Sequence, residues 1–194
     1  MRTAALTTVI VAAALAAAAC TSSKTGQATP TSGRTAASSV SSSPSSGATN
    51  GLTGLNACTL LTDVEAQQVV PGTEPHLDQG EMGGTGTSAC QWSKQATNVE
   101  GTGGVTFSIT VRPAQGLKDV VVKEGAQRTD TMSTAGRKAV ILKNNGAKYS
   151  CFAAVAVGSG RVDINATTVR GTTDEMCDIA SKIDDFVEPR LPTS

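Results

Sequence analysis

Gly104-Val105-Thr106-Phe107-Ser108-Ile109-Thr110-Val111-Arg112-Pro113 decides how the rest of the chain is read. Val105, Phe107, Ile109 and Val111 alternate with Thr106, Ser108, Thr110 and Arg112. A period of two places the apolar side chains on one face of a strand and the hydroxyls on the other. One face is therefore expected to be buried and the other wet, the pattern of an antiparallel sheet. Pro113 ends the run.

Working outward, Ser88–Lys94 reads as a short strand with Cys90 and Trp92 on one face. Downstream, Lys138–Lys143 is expected to lead through Asn144-Asn145-Gly146 into Ala147–Val157. Asn-Gly is the favoured pair for a tight hairpin because both residues accept positive φ. Gly158-Ser159-Gly160 then turns the chain into Arg161–Thr168, where Val162, Ile164 and Ala166 alternate with Asp163, Asn165 and Thr167. Two capping boxes mark helix starts. Thr62 with Glu65 predicts a helix from Asp63 that stops at Pro71-Gly72, and Thr172 with Glu175 predicts one over about 173–187. Met176, Ile179, Ala180, Ile183 and Phe186 line one face of the second. A further helix is expected over 116–127, around Leu117, Val120 and Val121, and residues 71–88 are expected to form a long Gly-rich loop. The sum is an α+β fold: an antiparallel sheet of about five strands with helices packed on one face.

The N-terminal third is different in kind. Residues 4 to 19 are apolar apart from Thr7 and Thr8, and follow Arg2. About 16 residues is short of the roughly 20 that a spanning helix needs. The pattern is that of a signal peptide over 1–19. Ala17-Ala18-Ala19-Cys20 resembles a bacterial lipoprotein cleavage site, although Leu usually occupies the place of Ala17. Cys20 is the expected lipidation site, holding the protein at the outer face of the cell membrane. Residues 20–55 are almost all Ser, Thr, Ala, Gly and Pro, with Lys24 and Arg34 as the only charges. Such a stretch is expected to be a disordered linker, with an average span of roughly 30–35 Å. The folded domain is expected over 56–194.

The leader and linker hold three of the sixteen Lys and Arg and none of the sixteen Asp and Glu. The domain is left with thirteen positive against sixteen negative side chains, which argues against a nucleic-acid partner. Five cysteines are an odd number, and setting Cys20 aside leaves four that pair. Of the three pairings, Cys58–Cys90 and Cys151–Cys177 are expected. The first joins the opening helix to the first strand, and the second joins the last helix to the sheet. Without a Cys-x-x-Cys pair, and with His76 as the single histidine, no metal or other cofactor is expected.

Glu74, His76, Asp78 and Glu81 share the Gly-rich loop and are the candidate binding residues. Their spacing is not that of a calcium loop, and nothing in the sequence holds His76 rigidly between Pro75 and Leu77. Asp184 and Asp185, late in the last helix, are expected to be solvated. No serine falls in a motif that would pair it with a base, so no catalytic residue is named. The five aromatic residues fall in expected strands or the last helix, where core packing accounts for them.

The lipoprotein-like leader, the Ser/Thr-rich spacer, Cys58-Thr59-Leu60-Leu61-Thr62, Cys90-x-Trp92 and two further cysteines ending on a helix resemble actinobacterial lipoproteins catalogued as domain of unknown function 3558. The resemblance implies a cell-envelope lipoprotein and carries no activity with it. The expected function is a non-enzymatic module binding an envelope protein or a small ligand. A carrier or chaperone for an apolar ligand is the alternative, distinguished by a continuous apolar cavity. An envelope hydrolase is the third, distinguished by a cleft joining His76 to a serine and a carboxylate.

Overall fold

The computed structural model describes residues 51–193. The expected signal peptide, Cys20 and nearly all of the expected linker lie outside these residues. In chain order the elements are a 3-10 turn at Ala57–Thr59, α1 (Asp63–Val69), β1 (Leu77–Gly80), β2 (Ser88–Lys94) and β3 (Val105–Arg112). They continue with a 3-10 turn at Leu117–Asp119, β4 (Gln127–Met132), β5 (Lys138–Lys143), β6 (Tyr149–Val157), β7 (Gly160–Thr168), α2 (Thr173–Val187) and a last 3-10 turn at Glu188–Arg190. The strands form one sheet in the order β1-β2-β3-β7-β6-β5-β4, with every neighbouring pair antiparallel.

The alternation in β3 works as expected. Phe107, Ile109 and Val111 stand opposite Ala166, Ile164 and Val162 of β7, and all six are fully buried. Trp92 of β2 lies opposite Phe107, its ring stacked on the phenyl ring at 5.7 Å. This front face is covered by both helices. Met176, Ala180, Ile183 and Val187 of α2 join the same core as Ala66 and Val69 of α1, and α2 packs on β6 and β7. Both capping boxes form: the hydroxyls of Thr62 and Thr172 accept from the amides of Glu65 and Glu175. Both expected disulfides are present, Cys58–Cys90 and Cys151–Cys177.

Four expectations are corrected. The sheet has seven strands rather than about five. β1 lies inside the stretch expected to be loop, and β4 begins at the last residue of the stretch expected to be helix. Residues 116–127 do not form that helix. Asp119 accepts from the amide of Gly116 at 2.8 Å, and after one 3-10 turn the chain extends at Val120. Three consecutive β-branched residues, Val120-Val121-Val122, disfavour a helix, and Val120 instead covers Val140, Leu142 and Ala154 on the rear of the sheet. The β5–β6 connection is longer than a two-residue turn. Asn144 and Gly146 take the positive φ values, 59° and 97°, and β6 begins only at Tyr149. Finally, the packed chain starts before residue 56, because Leu52 is fully buried in the front core.

The β6–β7 turn is where a glycine is required. A Cβ on Gly160 would lie 2.6 Å from the carbonyl oxygen of Arg112 and 2.8 Å from that of Pro113. No side chain fits there without moving backbone.

The rear face is not wholly wet. Asp163 of β7 is buried, with Arg112 Nε at 2.5 Å and Arg161 Nε at 2.7 Å. The guanidinium of Arg161 also donates to the carbonyl of Gly116 at 2.8 Å, and that of Arg112 to Gln115 Oε1 at 3.0 Å. One carboxylate thus ties the centre of the sheet to the segment crossing its rear. Replacing Asp163 with alanine leaves two largely desolvated guanidinium groups unpaired. The expected loss is about 3–5 kcal/mol of folding stability, read from urea unfolding curves, with Asp163→Asn losing less.

Candidate functional site

The four residues of the expected binding loop do not converge. Asp78 Oδ1 accepts from the amide of Gly80 at 2.8 Å, and Glu81 Oε1 from that of Gly86 at 3.0 Å. Both close turns of their own loop. Glu74 receives the side-chain amide of Gln95 at 3.3 Å. His76, in contrast, is held firmly. Asp63 Oδ1 lies 3.0 Å from its backbone nitrogen and 2.9 Å from its Nδ1, and takes the indole N–H of Trp92 at 3.0 Å. The capping box that starts α1 places Asp63 at the first helical position, so this anchor is a local consequence of Thr62 and Glu65. The bond from His76 is the main cause that lowers the Asp63 pKa and keeps it ionised.

A ring nitrogen of His76 and the sulfurs of Cys58 and Cys90 lie within 4.8 Å of one another. Three such groups at that spacing have the reach of a metal site, but here the sulfurs are bonded to each other. Neither is a thiolate, the form that binds metal. Among the described residues no serine hydroxyl is hydrogen-bonded to His76. The histidine has an orienting carboxylate and a disulfide beside it, and no hydroxyl nucleophile.

The sequence reading missed a second site, on the other side of the front face. Cys177, Ser181 and Asp184 follow one another at i, i+4 and i+7 on the flank of α2 next to its buried stripe. They face β5 and β6 across a cleft of about 150 Å³. Its floor is apolar: Ala139, Ile141, Ala153, Val155 and the Cys151–Cys177 bridge. The end of β4 and the turn after it, Thr131–Thr134, close one wall.

That turn is pinned by Glu188, which follows α2. The buried Glu188 carboxylate accepts from the hydroxyl of Ser133 and, at 2.6 Å, from the amide of Ala135. Arg137 approaches it at 3.9 Å and gives Nη2 to the carbonyl of Pro192 at 2.9 Å. Asp185 receives the hydroxyl of Thr134 at 3.3 Å. Asp184, lining the cleft, has no such partner. Its Oδ1 is inaccessible to solvent and without a hydrogen bond. The expectation that it is solvated is therefore corrected. Desolvation first, then the charges of Glu188 and Asp185, push its pKa up to about 7, against a smaller opposite pull from Arg137.

The geometry defines a class: a disulfide-stapled, antiparallel α+β domain with an ionisable carboxyl set over a small apolar cleft. The chain belongs to the family described as protein of unknown function (DUF3558), whose model matches residues 15–190. No curated protein matches it. Among solved structures it is similar to the crystal structure of the extracellular domain of PknH from Mycobacterium tuberculosis. Identity is 15%, covering 69% of this chain and 95% of that one, with a TM-score of 0.34. Among the described residues no helix is long and apolar enough to cross a membrane.

A raised carboxyl pKa makes folding pH-dependent in a defined direction. Between the ordinary Asp value and about 7, folded Asp184 keeps a proton that the unfolded chain has released. Its contribution to stability is complete below that window and declines as pH rises through it. Asp184→Asn is expected to gain roughly 1 kcal/mol over the parent at pH 8, after allowance for solvent screening, and to gain less at pH 5. Paired denaturant titrations at the two pH values measure the difference.

Proposed function

We propose that the protein is an extracytoplasmic lipoprotein, tethered through Cys20, whose folded part binds a small apolar cation in the cleft between α2 and β4–β6. The export half of this reading rests on the leader, the linker and the cysteine count. Four of the five cysteines form disulfides, which persist in oxidising compartments, and Cys20 remains for a lipid.

One observation carries the binding half: the unpartnered Oδ1 of Asp184 beside an apolar floor. A desolvated carboxyl is destabilised as an anion. A ligand bringing an ammonium group into the cleft sets a positive charge beside that carboxyl and favours its ionised form, while its apolar body displaces water from Ile141, Ala153 and Val155. About 150 Å³ is the volume of one aromatic ring or a short branched chain. That favours a small-ligand module over a carrier for a long lipid.

Benzylammonium is the probe and benzyl alcohol its neutral counterpart, followed by amide chemical shifts in a titration. The ammonium compound is expected to bind about tenfold more tightly at pH 8 than the alcohol. That preference fades at pH 5.5, as Asp184 takes up its proton, and disappears in Asp184→Asn. Equal binding of the two compounds at pH 8 would overturn the reading. For the tether, the intact mass of membrane-extracted protein is expected to include a diacylglycerol that Cys20→Ala removes.

A further inference from the structure

The two edges of the sheet are built differently. β1 is four residues long and its register breaks at a bulge between Asp78 and Gly80. Short length and a bulge are the usual ways of blunting an edge. β4 has neither. Its six residues, Gln127–Met132, keep unbroken register with β5 and are all exposed. It carries no proline and no lysine, and its two charges, Arg128 and Asp130, cancel.

The direction of its backbone groups follows from the turn. The Ser133 amide donates to the carbonyl of Arg137 at 2.8 Å. Bonding alternates along an antiparallel ladder. Thr131, Thr129 and Gln127 therefore bond to β5, and the backbones of Arg128, Asp130 and Met132 point away from it. The side chains of Arg128 and Asp130 stand on the same side of the strand, 2.8 Å apart.

We infer that β4 pairs antiparallel with β4 of a second copy, about a two-fold axis passing through Thr129. Outward groups must meet outward groups, so the axis passes through a residue and not between residues. At Arg128 it would set arginine against arginine, and at Asp130 aspartate against aspartate. At Thr131 it would set Asp130 against Met132 and run Arg128 into the turn. At Thr129 it sets Arg128 against Asp130 twice, with Gln127 against Thr131 on the other face. Charge and parity select one register out of four. The pair joins two sheets edge to edge and leaves both cleft walls in place. Six residues a side is a small interface, so the association is weak.

The test uses the full chain in a Cys20→Ser background. Two-fold neighbours at a non-bonded position lie about 4.5 Å apart at Cα, within disulfide reach. Thr129→Cys is expected to form a covalent dimer under mild oxidation, while Gln127→Cys and Val64→Cys, the latter on exposed α1, do not. Sedimentation at rising concentration reads the reversible dimer. Arg128→Asp or Asp130→Arg alone is expected to weaken it about tenfold by opposing like charges, and the double exchange to restore it. Thermal midpoints of the single variants, expected to match the parent, separate lost pairing from lost folding. A chain monomeric at every concentration, a Thr129→Cys dimer no more abundant than the Val64→Cys dimer, or a double exchange that fails to restore association would each overturn the inference.

Discussion

The seating of one helix controls the chemistry of this domain. Met176, Ala180, Ile183 and Val187 bury the inner stripe of α2 against the middle of the sheet, and the Cys151–Cys177 bridge fixes the neighbouring flank to β6. A helix held at two angular positions has no freedom to roll. Asp184 consequently stays over apolar side chains when it would otherwise turn to water. The same helix ends in Asp184, Asp185 and Glu188, where the dipole favours positive charge. The hairpin turn after β4 offsets part of that cost, since Ser133, Thr134 and Ala135 supply donors to two of the three carboxylates. The third is left over, and it is the one beside the cleft.

Much of the architecture was legible because it is written locally. Capping boxes act over three residues, and both appear where Thr62–Glu65 and Thr172–Glu175 place them. Alternation in β3 and β7 reflects burial on the front face, and the pairing of Cys58 with Cys90 and Cys151 with Cys177 follows from which elements each joins. The unforeseen strands are those with no buried face to announce them. Gln127–Met132 is exposed along its length, and Leu77–Gly80 is short and polar. Hydrophobic periodicity has nothing to detect in either.

The sites were harder to foresee for a related reason. His76 sits in a loop, yet its position is fixed by Asp63, thirteen residues earlier and part of a cap. Asp184 reads as a surface residue because its neighbours Lys182 and Asp185 are exposed; its desolvation comes from a turn more than forty residues away. A clue was available in three carboxylates gathered at a helix end that disfavours them, with Cys177, Ser181 and Asp184 in step. Asp163 misled in the opposite sense. Its alternation marks an outward residue correctly, but two arginines and the crossing segment cover that part of the rear face.

The strand order has a further consequence for how the chain assembles. β1-β2-β3 is one local meander and β4-β5-β6-β7 another, and they meet along a single seam between β3 and β7. Partners across that seam are distant in sequence: Val111 waits for Val162, and Phe107 for Ala166. Neither disulfide crosses it, since each closes within its own half of the chain. In a polypeptide emerging amino end first, both cysteines of the first crosslink are out before β3 can meet its partner β7. The zipper closes only when the last strand arrives, and the long loop between its partners makes that pairing the one with the largest closure entropy.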